Sequence, residues 1–226
     1  MKFGLFSVVD HYPKELPRTT GQFYAELLEQ VEAAEELGFE SFWIAEHHFH
    51  EYGGIPRPPI WMAAAAQRTR RIRLGAAVVV LPFDHPLRVA EDYAMVDVLS
   101  NGRLELGVGS GYLKHEFEGF GLPGDEKRER FDEALEILLR AWTGARFSYE
   151  GKYHRVKDVQ LNVVPHQKPR PPVWVAILRN EAAPFVGQKG FPIMMIPYVS
   201  TEEFSELAQT VRAFRQAFIA AGGRPE

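Results

Sequence analysis

The chain has 226 residues, enough for one large hydrophobic core or at most two small ones. Its 46% hydrophobic and 25% charged residues are ordinary for a globular protein, and a net charge of −4 gives no electrostatic reason to expect nucleic acid or an anionic membrane as partner. With no cysteine, disulfides, thiolate nucleophiles and cysteine-ligated zinc or iron–sulfur sites are excluded. A cytoplasmic location is expected, because Met1–Ser7 lacks the long apolar run of a signal peptide and no segment reads as a membrane span.

Strand-like and helix-like segments alternate. Lys2–Val9 is short, apolar and β-rich. Phe23, Leu27, Val31, Ala34 and Leu37 then recur at helical spacing, and Gly38 supplies a stop. Ser41–Glu46 predicts a second strand, and Ile60–Gln67 a short helix after the turn Pro56-Arg57-Pro58-Pro59. Arg73–Leu81 reads as a third strand buried on both faces. Pro86 suits the first turn of a helix that stops near Gly102, and Leu104–Val108 is a fourth strand. The stretch from Tyr112 to Gly121 reads as a loop. Phe131, Leu135, Leu138 and Trp142 mark an amphipathic helix. Residues 147–172 break the rhythm as a loop or hairpin excursion. Val173–Leu178 and Ile193–Tyr198 predict the fifth and sixth strands, each followed by a helix: Glu181–Gly190, and the face Phe204, Leu207, Val211, Phe214 and Phe218.

Such alternation implies a parallel sheet with right-handed crossovers, either an open doubly wound sheet or a barrel. Polar residues gather where strands end: Asp10-His11, Glu46 to His50, Asp84-His85, Ser110, and Arg179-Asn180-Glu181. A ring of that kind favours a barrel mouth. His11 is expected to be a solvated loop residue and His85 to begin a helix, while His115, His154 and His166 receive no role.

The segment Glu46-His47-His48-Phe49-His50-Glu51 is the richest in chemistry. A strand interior does not hold so many ionisable groups without partners, whereas a strand end opening into a pocket does. Three readings stand on the residues alone. His48 and His50, two apart on a strand, could bind a metal from one face, as in a metal-dependent barrel hydrolase. A histidine oriented by Glu46 or a backbone carbonyl could carry out acid–base work. Alternatively, His47 and His48 simply line a pocket. The run Gly107-Val108-Gly109-Ser110-Gly111 lets a flat ligand approach the backbone closely, but lacks the helix start of a dinucleotide fingerprint.

Several blocks together resemble the bacterial luciferase-like flavin-dependent monooxygenases: Lys2-Phe3-Gly4-Leu5-Phe6, Gly38 to Phe49, Gly75 to Pro82, His85 to Asp92 with Asp97, Leu99 to Leu104, and Gly107 to Tyr112. The resemblance implies an α/β fold, a TIM-type (β/α) barrel, incomplete, with about six of eight strand–helix units over residues 1–226. It implies reduced FMN as cofactor, with deazaflavin as the alternative, supplied by a separate flavin reductase. One oxygen atom of O2 would enter a small organic substrate. It further implies a homodimer formed through the early helices. Within the site, His47 would be the acid–base residue, with Glu46 and His48 as neighbours that orient or stabilise it. Ala77 and Val78, joined by a cis peptide, would support the flavin ring, along which Gly109 and Ser110 would lie. Arg179, Asn180 and Glu181 would hold the phosphate, with helix amides from Asn180 to Ala182, although Ala182 stands where the family often has a hydroxyl residue. The chain is thus expected to be C-terminally short by two units, leaving the apolar edges of its first and sixth strands uncovered. A non-catalytic flavin-binding protein is the remaining alternative.

Overall fold

The computed structural model describes residues 2–197 and 204–224. Tyr198, the expected end of the sixth strand, the terminal residues Met1, Pro225 and Glu226, and the side chain of Phe204 lie outside the described residues.

The elements follow in the order β1 (Gly4–Ser7), α1 (Thr20–Glu36), β2 (Ser41–Ile44), α2 (Pro58–Arg68), β3 (Arg73–Val80), a 3₁₀ turn (Leu81–Phe83), α3 (Pro86–Leu99), β4 (Leu104–Gly109), α4 (Lys114–Phe120) and α5 (Lys127–Trp142). Then come β5 (Phe147–Glu150), β6 (Arg155–Val159), β7 (Val173–Ala176), α6 (Ala182–Gln188), β8 (Ile193–Met194) and α7 (Phe204–Ala220). Together β1, β2, β3, β4, β7 and β8 belong to a six-stranded sheet, as expected for six consecutive units of a TIM-type barrel. None of the described helices is long and apolar enough to cross a membrane.

The chain divides into two compact units. The first contains residues up to Leu106 together with Ser110–Pro172. Its strands lie in the order β1-β2-β3-β4, with β1–β2 and β2–β3 parallel. At the end of this order, β1 leaves Phe6 50% exposed. Helix α1 begins with a reciprocal capping box between Thr19 and Gln22 and buries Phe23, Leu27, Val31 and Ala34. Leu37, expected on that face, is instead the 77% exposed residue that ends the helix. Helix α2 starts earlier than expected, because Pro58 and Pro59 occupy first-turn positions where no backbone N–H is needed.

A buried arginine ties the base of this unit. The Arg103 guanidinium donates to Ala66 O, Thr69 Oγ1, Ile72 O and Ser100 O at 2.7–2.9 Å. It thereby satisfies carbonyls at the end of α2 and α3 that would otherwise be buried unpaired. This explains the Leu99-to-Leu104 block in physical terms. Residues 147–172 do contain a hairpin, β5 paired antiparallel with β6. The buried Glu133 of α5 holds it, accepting from the backbone N–H groups of Lys152 (3.0 Å), Tyr153 and His154.

The second unit consists of Gly107–Gly109 of β4 followed by residues 173–226. Here β4 neighbours β7, and β7 pairs parallel with β8 through Val175–Ile193 and Ala176–Met194. Helices α6 and α7 pack closely at Gly187, where an added Cβ would stand 2.9 Å from the carbonyl oxygen of Phe214.

Two boundary expectations need correction. The segment read as a loop after Gly111 contains α4, closed by Gly121 in the left-handed region (φ 66°). Strand β2 stops at Ile44, so the polar run from Glu46 is not strand. His48 and His50 therefore do not share a strand face, and the geometric premise of the His-x-His metal pair fails.

Candidate active site

The loop after β2 carries two histidine–carboxylate pairs in the first unit. Nδ1 of His47 lies 3.0 Å from Oε1 of Glu116, and Nε2 of His48 lies 3.3 Å from Oε1 of Glu46. The four side chains are 10% exposed or less. From sequence Glu46 was expected to orient or stabilise His47; in the structure the carboxylate at the His47 ring is Glu116 on α4, and Glu46 pairs with His48.

Helix α4 fixes the loop by both backbone groups of His48. Oε1 of Glu116 accepts from the backbone N–H of His48 at 2.9 Å, and Nε2–H of His115 donates to the His48 carbonyl at 3.2 Å. His115, given no role from sequence, is therefore a positioning residue. Phe49 adopts φ 61° and packs its ring where a Cβ on Gly119 would fall, 2.4 Å away. Gly53 matters directly to His47: it holds φ 92°, and an added Cβ would lie 2.5 Å from His47 Cβ. Only glycine fits both the backbone conformation and the space.

Because the Glu116 carboxylate accepts from His47 Nδ1–H, the proton of the neutral ring is fixed on Nδ1. Nε2 then carries a lone pair and has no hydrogen bond among the described residues. Tyr52 packs against the ring at 4.6 Å and Tyr112 meets it edge-on at 6.4 Å. Such an imidazole can take a proton at Nε2 and return it, its charged form stabilised by Glu116. Around His48 stand Phe83 and Phe120, edge-on at 5.8 and 4.8 Å. Burial raises the Glu46 carboxyl above the usual range, opposed by the hydrogen bond and charge of His48.

The other expected residues fall as follows. The Ala77–Val78 peptide on β3 is cis. Both residues are half-buried in a strand whose neighbours on either side, Ala76 and Val79, are buried. Ser110 is half-buried at the end of β4, again in the first unit. In the second unit, Gly109 is buried at the last position of β4. Arg179 and Glu181 are exposed and Asn180 is half-buried in the turn between β7 and α6. Of the amides expected there for phosphate, that of Ala182 is in use, donating to Arg179 O at 3.1 Å; the next amide, Ala183 N–H, donates to Asn180 O at 3.1 Å. Asn180 Oδ1, by contrast, is buried without a partner.

His11 departs from expectation: it stacks on Phe23 at 4.7 Å, with a buried, unpartnered Nδ1. His85 does begin a helix, its Nδ1 accepting from Leu87 N–H at 3.3 Å. His50 Nδ1 accepts from Tyr52 N–H. Among the described residues, no group of three or more histidines and carboxylates is arranged to hold a metal ion.

Comparison with known proteins shows the family. The family model for luciferase-like monooxygenases matches residues 1–226. The oxygenase component of flavin-dependent trigonelline monooxygenase from Acinetobacter baylyi is 30% identical over 210 residues, 92% of this chain and 58% of that protein. An F420-dependent glucose-6-phosphate dehydrogenase from Amycolatopsis mediterranei is 33% identical over 172 residues, 73% of this chain and 51% of that one. Among solved structures, monooxygenase RslO1 from Streptomyces bottropensis superposes with a TM-score of 0.92 at 38% identity, covering 100% of this chain and 68% of its own. The oxygenating constituent of 3,6-diketocamphane monooxygenase from Pseudomonas putida, solved in complex with FMN, shares the fold: TM-score 0.89, 23% identity, 100% and 64% coverage. The chain spans about half the length of the curated relatives it matches. It belongs to the luciferase-like monooxygenase family.

Proposed function

We propose that the protein is the oxygenase of a two-component flavin monooxygenase, taking reduced FMN from a separate reductase and using O2 to oxidise a small organic substrate. The observation that carries this reading is the buried His47–Glu116 pair, which leaves one imidazole nitrogen free for proton transfer beside half-buried, aromatic-lined surface. The relatives named as monooxygenases support it, including one described as an oxygenase component. F420-dependent relatives keep the family's cofactor choice broader, and FMN is our assignment for this chain.

Each unit, taken by itself, carries residues with the chemistry a flavin would need. Ala77 and Val78 interrupt the burial of β3 and would present small apolar side chains to an aromatic ring. Gly109 and Ser110 would offer backbone with little side-chain bulk. For the phosphate, Arg179 supplies exposed charge, and the Asn180 side-chain N–H and Glu181 backbone N–H would donate, while the Ala182 N–H is engaged with Arg179 O. When bound, reduced FMN supplies the electrons that activate O2.

The chain's own residues then manage protons. His47 Nε2 exchanges a proton with the reacting group, Glu116 stabilises the imidazolium, and Gly53 and α4 hold the ring in place. A His47→Ala variant is expected to retain reduced-FMN binding while oxygen-dependent product formation falls by about 10²–10⁴-fold. Product formation at the wild-type rate would remove His47 from the mechanism.

A further inference from the structure

Behind the second pair lies a small cavity of about 10 Å³. Its polar lining comprises Glu46, Tyr93, Arg57, Asp84 and Asp92, and Val89 forms part of its apolar wall. That volume suits a single water molecule, which needs polar partners to be stable when buried. The partners are present. Tyr93 is 2% exposed and its hydroxyl has no hydrogen bond. Glu46 uses Oε1 toward His48 Nε2 and, at 3.4 Å, the N–H of Val80, while Oε2 has no hydrogen bond among the described residues. Near the surface, Arg57 forms ion pairs with both Asp84 and Asp92; the three side chains are 44%, 26% and 34% exposed.

We propose that one water in this cavity, held by Tyr93 and Glu46, makes Glu46 a proton relay between His48 and solvent, reaching solvent past Arg57, Asp84 and Asp92 and bypassing the substrate side of the site. The proposal rests on the acid–base reading of the histidine loop. In the inward direction a proton from solvent crosses the water to Oε2 of Glu46, while the proton on Oε1 leaves to Nε2 of neutral His48. The carboxyl group ends with its proton on the other oxygen, His48 becomes an imidazolium, and no electrons move. Outward transfer reverses each step.

The environment suits a relay. Burial favours the protonated carboxyl of Glu46, against the hydrogen bond and charge of His48, the Val80 N–H and the charge of Arg57. Burial, and next the charge of Glu46, keep the Tyr93 hydroxyl protonated as a donor, with Arg57 opposing and Asp92 and Asp84 reinforcing. These are the groups facing Glu46 from β3, from the segment before α2, and from α3 and the turn preceding it. Glu46 and Tyr93 are positioning and relay residues, acting through His48.

The test is exchange of the His48 ring N–H with solvent, followed by nuclear magnetic resonance on the chain with ¹⁵N-labelled histidine, with no flavin and no turnover. Failure of the relay is thus distinguishable from failure of the monooxygenase reading. Glu46→Gln removes the relay; Val89→Ile fills the cavity without touching a polar group; Tyr93→Phe removes one oxygen. Each is expected to slow exchange at His48, Glu46→Gln by at least about tenfold, with exchange at His47 unchanged. Unchanged exchange at His48 in Val89→Ile and Tyr93→Phe would overturn the proposal even if Glu46→Gln fails to fold. Equal slowing at His47 and His48 would overturn it as well.

Discussion

Replacing Glu116 tests the site at its structural centre. One oxygen of this 1% exposed residue accepts from two donors, His47 Nδ1–H at 3.0 Å and His48 N–H at 2.9 Å. Glu116→Ala strands both donors in the interior. At about 1–3 kcal/mol for each unsatisfied buried group, the expected loss is about 2–6 kcal/mol. For a chain of this size that corresponds to a fall in Tm of about 4–24 °C. Glu116→Gln keeps an amide carbonyl that accepts from the same donors, so its stability should lie within about 1 kcal/mol of wild type. It lacks the charge that stabilises the His47 imidazolium, and oxygen-dependent turnover should drop by about 10²-fold or more. Differential scanning calorimetry gives the first quantity, steady-state product formation the second. If Glu116→Ala melts within about 2 °C of wild type, the two hydrogen bonds do not exist as described and the reasoning fails.

Other perturbations probe neighbouring features. Gly53→Ala places a methyl group against His47 at a backbone angle disfavoured for alanine, and should cost about 1–3 kcal/mol in urea unfolding together with activity; unchanged stability would show that the loop is not constrained there. Burial lowers the pKa of His154, with His85 and Arg130 adding to the effect and Glu133 opposing it. The folded state therefore binds fewer protons at this site than the unfolded chain, so its contribution to stability is present above about pH 6.5 and is lost as pH falls through that value and then the lower folded one. His154→Asn should flatten the pH dependence of the unfolding free energy in that window; an unaltered slope would count against it. We also propose the homodimer, supported by the exposed apolar residues Ile60 on α2 and Met95, Val98 and Leu99 on α3. Met95→Lys should shift the sedimentation coefficient toward that of a monomer, and a coefficient unchanged from wild type would rule out this face.

Long periodic elements were legible in the sequence. The helical face Phe131, Leu135, Leu138 and Trp142 is buried as its spacing requires, and Arg73–Val80 is a strand whose apolar run reflects its place between two neighbours. Ends were less legible, because the last residue of a strand is set by its partner: β2 stops where Ile44 pairs with Ala76, although Ala45 continues the apolar pattern. Helix α4 was missed because it has only seven residues and contains Gly119, too short for periodicity to register. A signal did exist, in Phe117 and Phe120 at helical spacing followed by Gly121 as a stop. The role of Glu116 lies beyond pattern reading, since 69 residues separate it from His47 and the parallel crossovers bring them together. The position of the Ala77–Val78 cis peptide came from family resemblance, not from any local propensity, and the structure shows it at that bond.

The most direct test of the central claim is an anaerobic titration of the chain with reduced FMN, followed by mixing with air-saturated buffer. The account predicts saturable binding of one flavin per chain, with reoxidation of the bound flavin altered by Glu116→Gln. Absence of saturable binding, with reoxidation indistinguishable from that of free reduced FMN, would contradict it.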